Sequence, residues 1–152
     1  IQALILSAPF FDFTLGEPGR WINAFVFGLW PDFIYKNPIH SAALTHDPEE
    51  LRRHREDPLI LREISSRLVR EISKQIVAVK KTTQFSFSFP VYLLLAGKEK
   101  IVSSQAARRF FAKIQAPKKQ LIEFSGFYHE IFNEREQEKT FNVLKTIFEG
   151  CV

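Results

Sequence analysis

The chain of 152 residues contains no Met and a single Cys, at position 151. One Cys excludes an intramolecular disulfide and any zinc site built on thiolates. The four His (His40, His46, His54 and His129) show no pairing at metal-ligand spacing, so no metal site and no cofactor are expected. No apolar run approaches the roughly 18 residues that a membrane-spanning helix needs. No basic-then-apolar leader precedes a small-residue cleavage site. A first residue of Ile rather than Met points to a processed or cut piece of a longer chain. The compartment is left open, with the cytoplasm favoured over secretion. Gly-rich phosphate loops are also absent: Gly16-Glu17-Pro18-Gly19 is followed by no lysine–threonine pair.

What is present is ordinary globular material, 45% hydrophobic and 25% charged. The net charge of +4 is mild and spread along the chain, with no aromatic platform between the basic residues, so nucleic acid is not expected as a partner. Sixteen Phe in 152 residues predict a Phe-rich surface or pocket.

Ala3-Leu4-Ile5-Leu6 is apolar without alternation, the mark of a strand buried on both faces of a parallel sheet. Val91-Tyr92-Leu93-Leu94-Leu95-Ala96, ending at Gly97, repeats that pattern, and Gln120–Phe124 reads as a third strand. Between the last two a helix capped by Ser103 or Ser104 carries Ala107, Phe110, Phe111 and Ile114 on one face, which makes a right-handed βαβ unit. The final helix is expected from about Asn133, with Glu134 and Glu136 in its first turn and Phe141, Leu144, Ile147 and Phe148 buried.

The first and second strands are separated by a helical insertion of about seventy residues. It opens with an aromatic-rich stretch from Phe10 to Phe33, read as a loop and a short helix near Trp21–Trp30. Asp47-Pro48-Glu49-Glu50 is a helix start with a cap, a first-turn Pro and a capping box. Asp57-Pro58 repeats the signal, and Leu61, Ile64, Leu68, Ile72, Ile76 and Val79 then recur as one helical face. The fold class is α/β.

In open parallel sheets functional groups gather beyond the carboxyl ends of the strands. Glu99 stands there after the second strand and His129 after the third. A carboxylate beside an imidazole fixes its tautomer and steadies the imidazolium, the acid–base half of a nucleophilic triad. His46 and His54, in a charged helical region, are expected to be solvated, and His40 has no nearby acid.

Leu93–Val102, followed about thirty residues later by Gly126-Phe127-Tyr128-His129-Glu130-Ile131-Phe132-Asn133-Glu134, resembles the latter part of the α/β-hydrolase fold. The likeness is nearest to the monoacylglycerol lipase and lysophospholipase group of serine hydrolases. Leu4–Pro9 resembles that group's strand after the nucleophile helix, and Asp57-Pro58-Leu59 with Ile64–Leu68 resembles its helical cap. The resemblance implies a C-terminal portion of such a fold: core strand and loop over 1–11, a helical cap over 12–88, and a core βαβ with the last helix over 89–152.

Carried over by position, His129 matches the catalytic histidine and Glu99 the triad acid. The group usually has Asp at the latter and often a second Asp where Ser103 stands. Asp12 is kept as a reserve acid. Ile101 and Val102 match positions lining the acyl site, and Phe10 and Trp30 belong to an aromatic lid suited to a lipid-like ester. An aromatic lid with basic helices also suits peripheral contact with an anionic lipid surface.

The Gly-x-Ser-x-Gly elbow that should carry the nucleophile occurs nowhere in the chain, and Ser7 lacks flanking glycines. The resemblance therefore implies that an N-terminal half of the same fold supplies the serine and the oxyanion hole, and that these residues alone are inactive. A non-catalytic binding domain or degenerate relative is the alternative. An upstream elbow separates the two.

Overall fold

The computed structural model describes residues 1–13 and 32–150. Its centre is a three-stranded parallel sheet in the order β1 (Leu4–Ser7), β5 (Val91–Ala96), β7 (Lys119–Phe124). Leu4 pairs with Val91 and Ser7 with Leu94, while Val91 pairs with Lys119 and Ala96 with Phe124. All six residues of β5 are buried. Alternate side chains explain the unbroken apolar run. Leu93 and Leu95 pack on Ala107, whereas Leu94 and Ala96 pack on Phe124, Phe127 and Ile131. Both faces are covered, so neither can be polar.

One cover is α3 (Ser104–Ala112), capped by the Ser103 hydroxyl, which accepts from the Ala106 N–H at 3.2 Å. The other is α4 (Glu138–Glu149), whose Val143 and Leu144 reach the Leu94 cluster. This last helix starts five residues later than expected. Glu134 lies outside it, and Phe141 and Phe148 are exposed while Thr140 and Ile147 are buried. The chain from Ile131 to Gln137 is instead held in turns by Asn133, Gln137 and Thr140 backbone bonds.

Between β1 and β5 lie β2 (Ile34–Lys36), a 3₁₀ turn at Ser41–Ala43, α1 (Pro48–Glu56), β3 (Glu63–Ser65), α2 (Ser66–Lys81) and β4 (Phe85–Ser86). Asp47 caps α1 by accepting from the Glu49 and Glu50 N–H groups. The capping box is not closed as expected, because the Asp47 N–H donates to the Thr45 hydroxyl and Glu50 turns to Arg53.

The second Asp-Pro is a turn and not a helix start. Asp57 ends α1, and its carboxylate accepts from the Leu59 N–H at 2.8 Å. Leu61 is exposed and Ile64 is in β3, which pairs antiparallel with β2. Only from Ser66 does the helix run, burying Val69 and Ile76 and leaving Leu68 at the surface. β3, paired with β2, thus interrupts an apparently continuous helical period. The linker before β5 also pairs: β4 runs parallel to β6 (Ile114–Gln115), placing Phe85 against Phe110. The short helix expected near Trp21–Trp30 lies outside the described residues.

Candidate active site

Two glycines bring the carboxyl ends of β5 and β7 together. A Cβ on Gly97 would lie 2.8 Å from the Phe124 carbonyl oxygen and 2.9 Å from the Ser125 Cα, both backbone atoms that cannot swing aside. The Gly97 N–H donates to the Phe124 carbonyl and the Lys98 N–H to the Phe127 carbonyl, each at 2.9 Å. Gly126, at φ +85°, takes the left-handed turn that lets residues 124–127 fold back over that strand end. Glu99 follows Gly97 by two residues on one loop, and His129 follows Gly126 by three on the other.

Glu99 Oε2 lies 2.8 Å from His129 Nδ1. Its Oε1 accepts from the Lys100, Ile101 and Val102 N–H groups at 2.9, 2.8 and 3.3 Å. The carboxylate is 4% exposed and the imidazole 24%. Burial pushes the Glu99 carboxyl up, but the bonds from His129 and from the Ile101 and Val102 backbone outweigh it and hold the group below the ordinary carboxylate range. An ionised carboxylate only accepts, so His129 Nδ1 carries a proton, and in the neutral imidazole the lone pair is then on Nε2. His129 lines a cleft of about 250 Å³ together with Ser7, Ala8, Ile131 and Asn133. Ala8, buried and at φ 39°, is the non-glycine residue held in left-handed backbone there.

The other expected site residues are placed differently. Asp12 faces Lys80 of α2 at 2.5 Å and accepts from the Phe13 N–H, so this reserve acid ties β1's following loop to α2. Ile101 and Val102 serve Glu99 through their backbone. The Val102 side chain is buried, and its backbone bridges to Phe13. Phe10 is partly exposed, edge-to-face with Phe13 at 4.8 Å. Trp30 lies outside the described residues. Ser103, where the resembling group often has Asp, is the cap of α3.

A second carboxylate–imidazole pair went unread in the sequence. His46, expected to be solvated, places Nδ1 2.8 Å from Glu134 Oε1 and its ring 3.6 Å from that of Tyr128. Glu134 is buried at 3% and also accepts from the Tyr128 N–H at 2.7 Å. His54 likewise departs from expectation: its Nδ1 is buried and unpartnered. No local signal marks the His46–Glu134 pair, since 88 residues separate its members. Among the described residues no cluster of His, Cys, Asp and Glu is arranged to hold a metal ion, and no helix is long and apolar enough to cross a membrane.

A parallel sheet sandwiched by α3 and α4, with an acid and a His on adjacent strand ends, defines an α/β-hydrolase-type fold. The chain belongs to the serine aminopeptidase S33 family (Hydrolase_4), whose model matches residues 1–136. It is similar to the phospholipase YtpA of Bacillus subtilis (strain 168), 30% identical over 101 residues, which are 66% of this chain and 39% of YtpA. It also matches the uncharacterized protein YnbC of Escherichia coli (strain K12), 26% identical over 147 residues, 96% of this chain and 25% of YnbC.

Among solved structures, the monoacylglycerol lipase of Paleococcus ferrophilus superposes with a TM-score of 0.81 at 25% identity, over 99% of this chain and 58% of that one. A soluble variant of Saccharomyces cerevisiae monoglyceride lipase, in complex with a substrate analog, gives 0.84 at 17% identity, over 100% and 54%, a likeness of fold alone. The chain therefore spans well under two thirds of each of these proteins.

Proposed function

We propose that these residues supply the acid and the base of a Ser–acid–His triad in a hydrolase of carboxylic esters, of monoacylglycerol or lysophospholipid type. The observation that carries this reading is the 2.8 Å contact between Glu99 Oε2 and His129 Nδ1, from a buried carboxylate already held by three backbone N–H groups. In the acylation step His129 Nε2 takes the proton of a serine hydroxyl as its oxygen bonds to the ester carbonyl carbon. The imidazolium, steadied by Glu99, then protonates the departing alcohol. Water repeats the sequence on the acyl-enzyme and releases the fatty acid.

No Gly-x-Ser-x-Gly is present among the 152 residues, so the reading places the nucleophile and the oxyanion donors outside them. The division into core (1–11), cap (12–88) and core (89–152) is part of the same proposal. So are Phe10, Trp30, Ile101 and Val102 as acyl-chain contacts. An ester substrate, rather than the peptide that the family's name suggests, is favoured by the phospholipase YtpA and the P. ferrophilus lipase.

Fluorophosphonate labelling tests this reading. The 152 residues alone should remain unlabelled, whereas the protein that carries them together with an elbow serine should label. His129→Ala should abolish that labelling and Glu99→Gln should slow it by about a hundredfold or more. Full labelling in His129→Ala would remove the base from its assigned role, and an upstream sequence without an elbow would favour a non-catalytic relative.

A further inference from the structure

The turn that carries His129 is fastened on one flank to a carboxylate six residues further along the chain and on the other to a segment far away in sequence. On one side the Tyr128 N–H donates to Glu134 Oε1 at 2.7 Å, and on the other the Glu130 N–H donates to the Leu44 carbonyl at 2.8 Å. Three further bonds join residues 45 and 46 of that distant segment to residues 133 and 134. His46 Nδ1 donates to Glu134 Oε1 at 2.8 Å and the His46 N–H to its Oε2 at 3.2 Å. The buried Thr45 hydroxyl donates to the Asn133 carbonyl at 2.7 Å.

The hub is Glu134. It is 3% exposed, accepts three hydrogen bonds, and among the described residues forms an ion pair with no basic side chain other than His46. Burial raises its carboxyl, yet the bonds from the Tyr128 backbone and from His46 prevail and hold it below the ordinary range. A carboxylate placed so deeply is costly unless hydrogen-bond donors replace the water it has lost. A surface loop needing only ordinary stability would be served as well by an apolar side chain. What the carboxylate adds is direction. It pulls the Tyr128 amide to one point and so sets the backbone from which the next residue, His129, projects. The Tyr128 ring lies on the His46 imidazole and beneath the Lys100 ammonium, 3.6 Å from its centroid, and Lys100 adjoins Glu99. The acid loop and the base loop therefore share one clasp.

We propose that Glu134, held by His46 and the Tyr128 amide, is a positioning residue for the base, fixing the His129 turn so that its imidazole meets Glu99. The proposal rests on the triad reading above, because positioning is only meaningful if His129 moves a proton.

The test uses the protein that carries these residues with its elbow serine, and two kinds of measurement. In hydrolysis of a short-chain ester, Glu134→Gln should lower kcat by roughly ten- to a hundredfold, with KM within about twofold. His46→Ala should give a smaller loss of the same kind, and His46→Asn, which restores a donor to Glu134, should recover most of it. Independently, the low-field proton NMR signal of the His129 Nδ1–H, assigned by its absence in His129→Ala, should shift or broaden in Glu134→Gln while circular dichroism stays that of the parent.

Parent-like kcat in both Glu134→Gln and His46→Ala overturns the proposal, as does a loss appearing only in KM or an unmoved imidazole signal. Should Glu134→Gln fail to fold, the His46 variants and the NMR signal decide alone. If the parent protein has no esterase activity the triad reading fails, and the NMR measurement still decides whether Glu134 positions His129.

Discussion

Glu99 exchanges its hydration shell for four hydrogen bonds and Glu134 for three, and both are held below the ordinary carboxyl value of 4.5 despite burial. The consequence for stability has a definite sign. In the unfolded chain both groups protonate near that ordinary value, whereas in the folded chain they remain ionised to lower pH. Near and below 4.5 the unfolded state therefore binds more protons, and stability rises with pH through that window. The contribution is fully present above 4.5 and is lost as pH falls through the lowered folded value. Thermal unfolding followed by circular dichroism should show a midpoint that is flat near neutrality and falls in acid. Glu99→Gln and Glu134→Gln should each lower the neutral plateau and flatten the acid limb. A limb as steep as the parent's in both variants would show that these carboxyls do not carry it.

At the scale of elements, the site depends on how closely the end of β5 lies against the turn after β7. Gly97 sets that approach. Its Cβ position is blocked by the Phe124 carbonyl oxygen and the Ser125 Cα, so Gly97→Ala must push the two loops apart. A loss of about 1–3 kcal/mol is expected by urea unfolding, the range typical of overpacking where backbone must shift. Activity of the protein bearing the substitution should fall further than stability explains, because Glu99 and His129 hang from the separated loops. Unchanged stability would mean that the close approach is dispensable. The helices contribute by covering, each in its own way. Ser103 caps α3 immediately beyond the Glu99 turn, so the same short stretch ends a carboxylate cradle and begins a helix.

Across the whole molecule, the sheet order puts β5 in the middle and β1 at one side, with no strand beyond β1 among the described residues. Leu4, Ile5 and Leu6 are only half-buried there, in contrast to the fully buried β5. An apolar strand with a free edge is a template for pairing with another strand. The 152 residues prepared alone should self-associate at micromolar concentration, as measured by light scattering. Ile5→Lys should reduce that association, and a monodisperse monomer of the unsubstituted chain would contradict the expectation.

The three core strands, a helix cap at Ser103 or Ser104, and the meeting of Glu99 with His129 were readable from the chain alone. Each rests on short-range information: unalternating apolar runs, a serine before a helical period, and titratable groups just past strand ends. The errors share a cause as well. Leu61, Ile64 and Leu68 fit a helical period, but β3 pairs with β2, and that cross-strand pairing outweighed the periodicity. Glu134 looked like a first-turn acid of the last helix, and His46 like a solvated neighbour of a basic helix. Their bond spans 88 residues and exists because the packed core sets the Thr45–Asp47 stretch against the His129 turn. Hydrophobic pattern and capping are written within a few residues of one another. A hydrogen bond between distant segments depends on where folding places their backbones, and no local window of sequence contains that distance.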